Sequence, residues 1–232
     1  MLSVIIPVYN EKDTVGTVIE RVRQLPVETE LIVVDNDSTD GTRQIIQELD
    51  YPELQLILQP RNLQKGNSVK KGMQAARGEY TVIQDADLEY DPQDLMKLLE
   101  KVQEPGVLAV LGSRVLGAAQ QHKKLPSSIF SLGRSGLTGW YRLLYGGDLT
   151  DIATCYKLAP TELLQSLNLR CEGFDLDFEL VAKLTKIARC HGQRVVEVPI
   201  SYQPRTVQEG KKIRWSDGIR ALWALTKFRF TD

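Results

Sequence analysis

The fold is decided by the segment Glu30-Leu31-Ile32-Val33-Val34-Asp35-Asn36-Asp37-Ser38-Thr39-Asp40-Gly41. It begins with an apolar run that is typical of a buried strand, and the run stops at a cluster of acidic and hydroxyl side chains. The pattern then changes to helical spacing over residues 42–49. A strand that ends in a polar cluster and leads into a helix is the repeating unit of an α/β sheet.

The same unit recurs on both sides of this segment. Strand patterns are predicted over residues 2–8, 30–34, 54–58, 80–83, 107–112 and 194–200. Helical spacing is predicted over residues 14–25, 42–49, 69–76, 93–102, 126–145, 174–188 and 216–230. This alternation predicts an α/β fold with a mostly parallel sheet flanked by helices, in which ligands bind beyond the carboxyl ends of the strands. Polar clusters at residues 10–13, 35–40 and 85–89 all fall at such ends.

Composition narrows the class of protein. The chain has 232 residues and a net charge of -1, with 42% hydrophobic and 25% charged residues. These values suit one globular domain and give no support to a nucleic-acid-binding protein. No apolar run reaches the roughly 18–20 residues of a membrane span, and the first residues lack the features of a signal peptide. We therefore expect a cytoplasmic protein.

The strongest candidate site is the acidic pair Asp85 and Asp87, with Glu89 close behind, directly after the predicted strand at residues 80–83. Two carboxylates one residue apart at a strand end can turn toward one cation. Mg²⁺ and Mn²⁺ prefer oxygen ligands and often bridge carboxylates to phosphates. A cation there would neutralise charge on a departing diphosphate. An acidic surface turn is the alternative interpretation of this pattern when it is taken alone.

Several further motifs stand in order along the chain. They are Val4-Ile5-Ile6-Pro7-Val8-Tyr9-Asn10-Glu11, Val33-Val34-Asp35-Asn36-Asp37-Ser38-Thr39-Asp40-Gly41-Thr42, Asn62, Lys65-Gly66, Gly72, Ala76-Arg77-Gly78, Gln84-Asp85-Ala86-Asp87-Leu88-Glu89, Gly112-Ser113-Arg114, Phe174, Glu179, Tyr202-Gln203-Pro204-Arg205 and Glu209-Gly210-Lys211-Lys212. Together they resemble the inverting family 2 glycosyltransferases, and most closely the dolichol-phosphate mannosyltransferase and polyprenyl-phosphate glycosyltransferase branch. The resemblance implies a single GT-A-type, Rossmann-like domain over residues 1–232, with a nucleotide-sugar-binding half at 1–115 and an acceptor-binding half at 116–232.

The resemblance also implies an activity and its residues. It implies metal-dependent transfer of a hexose from a GDP- or UDP-linked sugar to a polyisoprenyl phosphate, with Mg²⁺ or Mn²⁺ held by Asp85, Asp87 and Glu89. The implied substrate-binding residues are Pro7, Tyr9, Glu11, Asp35, Asn36, Lys65, Asp85, Ala86, Lys211 and Lys212. The implied catalytic residues are Asp87, Arg114, Arg205 and Asp151. The family often has two adjacent acids where this chain has Asp35 and Asn36, so the base preference stays open.

The nature of the acceptor leaves alternatives. A soluble acceptor hydroxyl would need a general base, for which Asp148, Asp151 and Glu179 are candidates, whereas a phosphate acceptor is already an anion and needs none. A non-catalytic nucleotide-sugar-binding subunit on the same fold is a further alternative. A nucleotidyltransferase is disfavoured because residues 7–13 contain no glycine. The amphipathic helix at residues 216–230 suits either a membrane surface, directly or through a membrane protein partner, or core packing.

Overall fold

The computed structural model describes residues 1–123, 129–205 and 215–231. Its strands are β1 (Leu2–Val8), β2 (Thr29–Asp35), β3 (Leu54–Leu58), β4 (Tyr80–Ile83), β5 (Val107–Ser113), β6 (Lys157–Pro160) and β7 (Arg194–Pro199). Its helices are α1 (Val15–Arg23), α2 (Thr42–Gln47), α3 (Gln64–Ala75), α4 (Leu95–Val102), α5 (Arg114–Gln120), α6 (Ile129–Tyr145), α7 (Thr161–Ser166), α8 (Leu176–Cys190) and α9 (Trp215–Phe230). A 3-10 turn, Pro92–Asp94, leads into α4.

The strands form one seven-stranded sheet in the order β3-β2-β1-β4-β6-β5-β7. β1 pairs in parallel with β2 and β4, β2 with β3, and β5 with β7, whereas β6 is antiparallel to both of its neighbours. β1 and β2 are buried along almost their whole length, as expected for strands covered by helices on both faces. The predicted α/β fold with a mostly parallel sheet is confirmed.

The helices pack through apolar residues at helical spacing. In α1 these are Val15, Val18, Ile19 and Val22, all fully buried. Burial of each such side chain stabilises the fold by roughly 1.5–3 kcal/mol. A second core lies between α6, α8 and α9, where Tyr141, Phe178 and Phe228 are buried. No helix in the described ranges is long and apolar enough to cross a bilayer.

Three short elements do not follow from the pattern: α5, α7 and β6. The last is the most consequential, because β6 separates β4 from β5 and reverses direction. Its four residues begin with a lysine and end with a proline, so it has no apolar run to detect.

Helix α3 begins at Gln64 rather than at residue 69, so Lys65 lies in its first turn instead of preceding it. The first residues of α3 are polar and give no helical pattern of apolar residues, so the sequence did not predict this turn. Gly66 is required there because a Cβ atom would approach the backbone carbonyl carbon of Glu172 to 2.6 Å. The loop before α8 therefore packs directly on the start of α3.

Candidate functional site

The predicted polar clusters meet at the carboxyl edge of the sheet. The Asn10 amide donates to Ser38 Oγ at 2.9 Å, which joins the loops after β1 and β2. The Thr14 hydroxyl donates to the Ala86 carbonyl at 2.7 Å, which joins the start of α1 to the loop after β4. Pro7 and Tyr9, at the end of β1, are half-buried in this rim. The loops that were predicted to meet at the carboxyl ends of the strands therefore do lie together.

The acidic pair lies in a tight turn after β4. Leu88 has a φ of 60°, a left-handed conformation that is rare for a leucine and that reverses the chain. The Glu89 amide then donates to Asp87 Oδ1 at 3.1 Å. This turn keeps both carboxylates of the pair at the rim, half-buried.

Acidic side chains surround Asp87. Burial, with the nearby charges of Asp85 and Glu89, raises the pKa of Asp87 to about 7. Within the described part of the chain, Asp85 has an ion pair with Lys65, but no Lys or Arg side chain pairs with Asp87. A divalent cation would offset this charge, so the pair fits Mg²⁺ or Mn²⁺ chemically.

The predicted third ligand is held elsewhere. The Glu89 carboxylate accepts from the Tyr202 hydroxyl at 2.9 Å and from the Arg205 amide at 2.7 Å. Among the residues that the structure describes, no three acidic, histidine or cysteine side chains converge as a metal-binding group. Mg²⁺ in nucleotide sites is commonly held by one or two carboxylates together with substrate phosphates. Asp85 and Asp87 fit that arrangement, and Glu89 as a third ligand stays a prediction.

Arg205 connects three parts of the rim. Its guanidinium lies 2.8 Å from Glu11 Oε2, donates to the Asp87 carbonyl at 2.8 Å and reaches Thr14 Oγ1 at 3.3 Å. It therefore fixes the acidic turn against the end of β1. The predicted residues Lys211 and Lys212, which follow in the sequence, lie outside the described residues.

Lys65 faces the acidic pair from α3. Its ammonium lies 2.6 Å from Asp85 Oδ1 and 3.9 Å from Asp177 Oδ2. Burial by itself lowers the pKa of Lys65, but the charges of Asp85 and Asp177 outweigh it and raise that pKa well above the ordinary value. The pKa of Asp85 shifts in the complementary direction. Burial by itself raises it, but the Lys65 charge outweighs burial and lowers it.

Asp35 and Asn36 lie inside the rim rather than on it. Asp35 is fully buried and accepts from Arg43 Nε at 2.6 Å. The Asn36 side chain donates to Asn62 Oδ1 at 2.8 Å and accepts from the Leu63 amide at 2.8 Å. Asn36 therefore holds the loop between β3 and α3, and Asp35 holds Arg43. Direct contact with a nucleoside stays a prediction for both residues.

Arg114 and Asp151 form a buried pair. The guanidinium donates to the two carboxylate oxygens at 2.6 and 2.7 Å, and the Arg114 amide donates to one of them at 3.1 Å. Their side chains are 11% and 0% exposed. Glu197 fixes the loop through the Thr150 and Asp151 amides, each at 2.7 Å. Asp151 is therefore committed to orienting Arg114.

The geometry also bears on the three candidate general bases. Asp151 is engaged as described above. Glu179 is fully buried, accepts from the Arg170 and Cys171 amides and pairs with Lys183 at 2.9 Å. Asp148 is exposed in the loop after α6. Two of the three carboxylates thus have no free face for an acceptor hydroxyl.

Sequence reasoning missed Arg134, Lys157 and Asp177. Arg134 is half-buried on α6, and its pKa is lowered by burial, opposed by the charge of Asp151 and reinforced by that of Arg114. It therefore belongs to the same electrostatic environment as the buried pair. In the sequence, Arg134 is only one arginine on an amphipathic helix, whereas Lys157 was detectable as a lysine between apolar residues.

Comparison with known proteins assigns the family. The model described as "Glycosyl transferase family 2" matches residues 3–158, which are 156 of the 232 residues. The chain belongs to glycosyl transferase family 2. The resemblance seen in the motifs is confirmed. The acidic turn, Lys65 and the pair of Arg114 and Asp151 lie within the matched region, whereas Arg205 lies beyond it.

Two relatives have related names. A "Dolichol-phosphate mannosyltransferase" of Pyrococcus furiosus is 28% identical over 214 residues, which cover 90% of this chain and 58% of the relative. An "Undecaprenyl-phosphate mannosyltransferase" of Micrococcus luteus is 27% identical over 221 residues, which cover 89% and 85%. This chain thus spans little more than half the length of the Pyrococcus relative.

Solved structures show the same fold. A glucosyl-3-phosphoglycerate synthase from Mycobacterium tuberculosis, solved with Mn²⁺, uridine diphosphate and phosphoglyceric acid, superposes with a TM-score of 0.73 at 20% identity. The match covers 100% of this chain and 79% of that chain. The GT-A-type architecture of this family 2 protein is therefore confirmed.

The raised pKa of Asp87 predicts pH-dependent metal affinity in this family 2 protein. Below about pH 7 a proton must leave Asp87 before a cation can bind. The Mn²⁺ affinity of the free protein should therefore rise about tenfold per pH unit up to about pH 7 and then level off. Titration of free Mn²⁺ by electron paramagnetic resonance from pH 5.5 to 8 would measure this. Asp87→Asn should bind weakly at every pH, and a flat wild-type profile would contradict the assignment.

Proposed function

We propose that this chain is an inverting glycosyltransferase that moves a hexose from a GDP- or UDP-linked sugar to a polyisoprenyl phosphate, with Mg²⁺ or Mn²⁺ as cofactor. The observation that supports it most is the acidic pair at the carboxyl edge of the sheet, where Asp87 has a raised pKa and its carboxylate has no ion pair with a described Lys or Arg side chain. A cation and a diphosphate would complete that charge distribution.

The donor side is built from β1, β2 and the acidic turn. Asp85 and Asp87 would hold the cation, which when bound supplies charge neutralisation for the departing diphosphate. Lys65, in the first turn of α3, is placed to approach the same phosphates. Pro7, Tyr9 and Glu11 would line the nucleoside site, with Asp35 and Asn36 behind them.

The acceptor side is built from arginines. Arg114 is oriented by Asp151, and Arg134 lies in the same environment. Two guanidinium groups suit a phosphate acceptor, whose oxygen is already an anion and attacks C1 of the sugar from the face opposite the nucleotide. No proton has to be removed, which agrees with the burial of Asp151 and Glu179. Lys211 and Lys212 would add to the grip on phosphate.

An exposed apolar surface supports a lipid acceptor. Of the ten large hydrophobic side chains exposed in the described residues, eight lie on α6 and α9. They are Leu132, Trp140, Leu143, Trp215, Ile219, Leu222, Trp223 and Phe230, which we call the aromatic face. The two helices are joined by a hydrogen bond from Trp140 Nε1 to Thr226 Oγ1 at 3.1 Å. All three tryptophans of the chain belong to this face.

The charge around the aromatic face favours an anionic bilayer as its partner. Arg142 on α6 and Arg220 and Arg229 on α9 are exposed, and Lys227 is half-exposed, whereas Asp217 is the one acidic residue of the two helices. Basic helices with tryptophan on the apolar side bind at the interface of membranes that contain anionic lipids. Such binding would bring the site to a phosphate anchored in the bilayer.

Vesicle binding should change the tryptophan fluorescence of this protein. Because every tryptophan lies on the aromatic face, anionic vesicles should shift its emission to the blue. Replacement of Ile219 and Trp223 by Ser should weaken binding about tenfold or more, since two apolar anchors are lost. Leu58→Ser, at an exposed leucine on β3, is the matched control and should bind normally. Equal binding by both variants would exclude the aromatic face as the docking surface.

The activity itself is tested by a panel of donors and acceptors. GDP- and UDP-linked hexoses would be incubated with Mn²⁺ or Mg²⁺ and either a short polyprenyl phosphate or phosphoglycerate, and products identified by mass. We expect a glycosylated polyprenyl phosphate. Product with phosphoglycerate alone would replace the lipid acceptor by a soluble one. Donor binding without transfer to any acceptor would indicate a non-catalytic subunit.

A further inference from the structure

Lys157 is a buried cation in the centre of the sheet. It lies on β6, between β4 and β5, and its side chain is 0% exposed. Its neighbours Tyr156 and Leu158 are also fully buried. An ammonium group in such a place costs several kcal/mol unless it is paired and hydrogen-bonded. An apolar side chain would fill the position at lower cost, so the charge calls for an explanation.

The partners of Lys157 lead to the acidic pair. Its ammonium donates to the Thr154 carbonyl and lies 2.8 Å from Asp177 Oδ1. The other oxygen of Asp177 lies 3.9 Å from the Lys65 ammonium, which is 2.6 Å from Asp85. The charges thus alternate in sign along a chain of two lysines and two aspartates, which lie on β6, α8, α3 and the turn after β4.

Exposure rises steadily along this chain of charges. The side chains of Lys157, Asp177, Lys65 and Asp85 are 0%, 13%, 17% and 21% exposed. The inner pair is therefore fixed in the protein, while the outer pair faces the site. Lys65 has one carboxylate at contact distance and a second one, Asp177, just behind it.

We propose that Lys157 and Asp177 position Lys65, so that Asp85 is released to a divalent cation when one binds. The proposal rests on the proposed function, since it assumes that Asp85 holds the metal. While Lys65 pairs with Asp85, it competes with the cation for the same oxygen. Asp177, oriented by Lys157, offers Lys65 a second carboxylate and so lowers the cost of breaking the first pair.

The test measures Mn²⁺ binding without donor, by electron paramagnetic resonance. Asp177→Asn keeps an oxygen for Lys157 but removes the charge that attracts Lys65. We expect its Kd for Mn²⁺ to rise about tenfold, and transfer to recover toward the wild-type kcat at saturating Mn²⁺. A role in packing alone would not produce a defect that metal corrects.

Asp177→Asn also removes a negative charge near the cation site, and that change alone weakens Mn²⁺ binding through space. A double variant separates this direct effect from the effect through Lys65. If Asp177 acts through Lys65, then Asp177→Asn should change the Kd less than threefold in a Lys65→Met background. An equal tenfold loss with and without Lys65 would overturn the proposal. No Mn²⁺ binding by the wild-type protein would instead refute the metal site of the proposed function.

Folding is checked by thermal melting of each variant. Should Asp177→Asn fail to fold, the charge-free combination of Lys157→Met with Asp177→Leu replaces it, since buried ion pairs often tolerate apolar substitution of both partners. That variant removes the second carboxylate in the same way, so the same tenfold rise in Kd is expected. A wild-type Kd in a folded variant of either kind would overturn the proposal.

Discussion

Replacement of Asp87 by Asn should lower sugar transfer by about a hundredfold to a thousandfold while the protein stays folded. Asn keeps the shape of the side chain but cannot offer a full negative charge to a cation, and loss of one group that stabilises transition-state charge commonly costs 10²–10³-fold. The stability of the protein, unlike its activity, should not fall. The folded protein raises the pKa of Asp87 to about 7, so at pH 8 the side chain is ionised and its charge destabilises the folded state, and a neutral Asn should leave the melting temperature unchanged or higher.

Transfer rates at saturating donor and metal, together with melting curves at pH 8, test this prediction. Asp50→Asn is the matched control, because the same substitution is made at an exposed aspartate in the loop before β3, away from the carboxyl edge of the sheet. Its rate should remain within about twofold of the wild-type rate, as is usual for surface changes. Turnover by Asp87→Asn at a rate near that of the control would remove the acidic pair from the mechanism.

Loss of the Arg114 side chain should have the largest effect on stability. In Arg114→Met the carboxyl group of Asp151, which is fully buried, would lose both guanidinium hydrogen bonds and the positive charge beside it. Breaking a buried pair in this way costs about 3–5 kcal/mol of unfolding free energy. Urea unfolding at pH 7, followed by circular dichroism, would measure the loss.

A double variant separates stability from activity. Combining Arg114→Met with Asp151→Leu removes both charges and should recover most of the lost unfolding free energy. Transfer should be abolished in the single and the double variant alike, because both lack the phosphate contact that we propose for Arg114. A loss below about 1 kcal/mol in the single variant would mean that Asp151 has another partner on removal of Arg114, and the orienting role of Asp151 would then be wrong.

Much of the fold follows from local pattern. The bounds of β1, β3 and β4 agree with the predicted ones, because apolar runs bounded by polar clusters are local signals. The convergence of the three polar clusters also follows, since it needs only the parallel direction of the strands. β6 does not follow, because its pairing with β4 and β5 is determined by contacts far along the sequence.

The partners within the site were harder to predict for the same reason. Glu89 was expected at the metal, but Tyr202 and Arg205, more than a hundred residues later, hold its carboxylate. Asp151 was expected at the substrate, yet it is paired with Arg114 across 37 positions of sequence. A motif identifies which side chains stand near a site, whereas the contacts of each one depend on packing that sequence spacing does not encode.

The contacts of Arg205 also affect the order in which this protein folds during its synthesis. Its guanidinium joins Glu11, Thr14 and the backbone of Asp87, residues that leave the ribosome long before it does. Every strand of the sheet precedes Arg205 in the sequence, so a nascent polypeptide can assemble its scaffold first. These contacts can form only after Arg205 has left the ribosome, and a chain stalled earlier would have the family 2 fold without the contacts that hold the acidic turn against the end of β1.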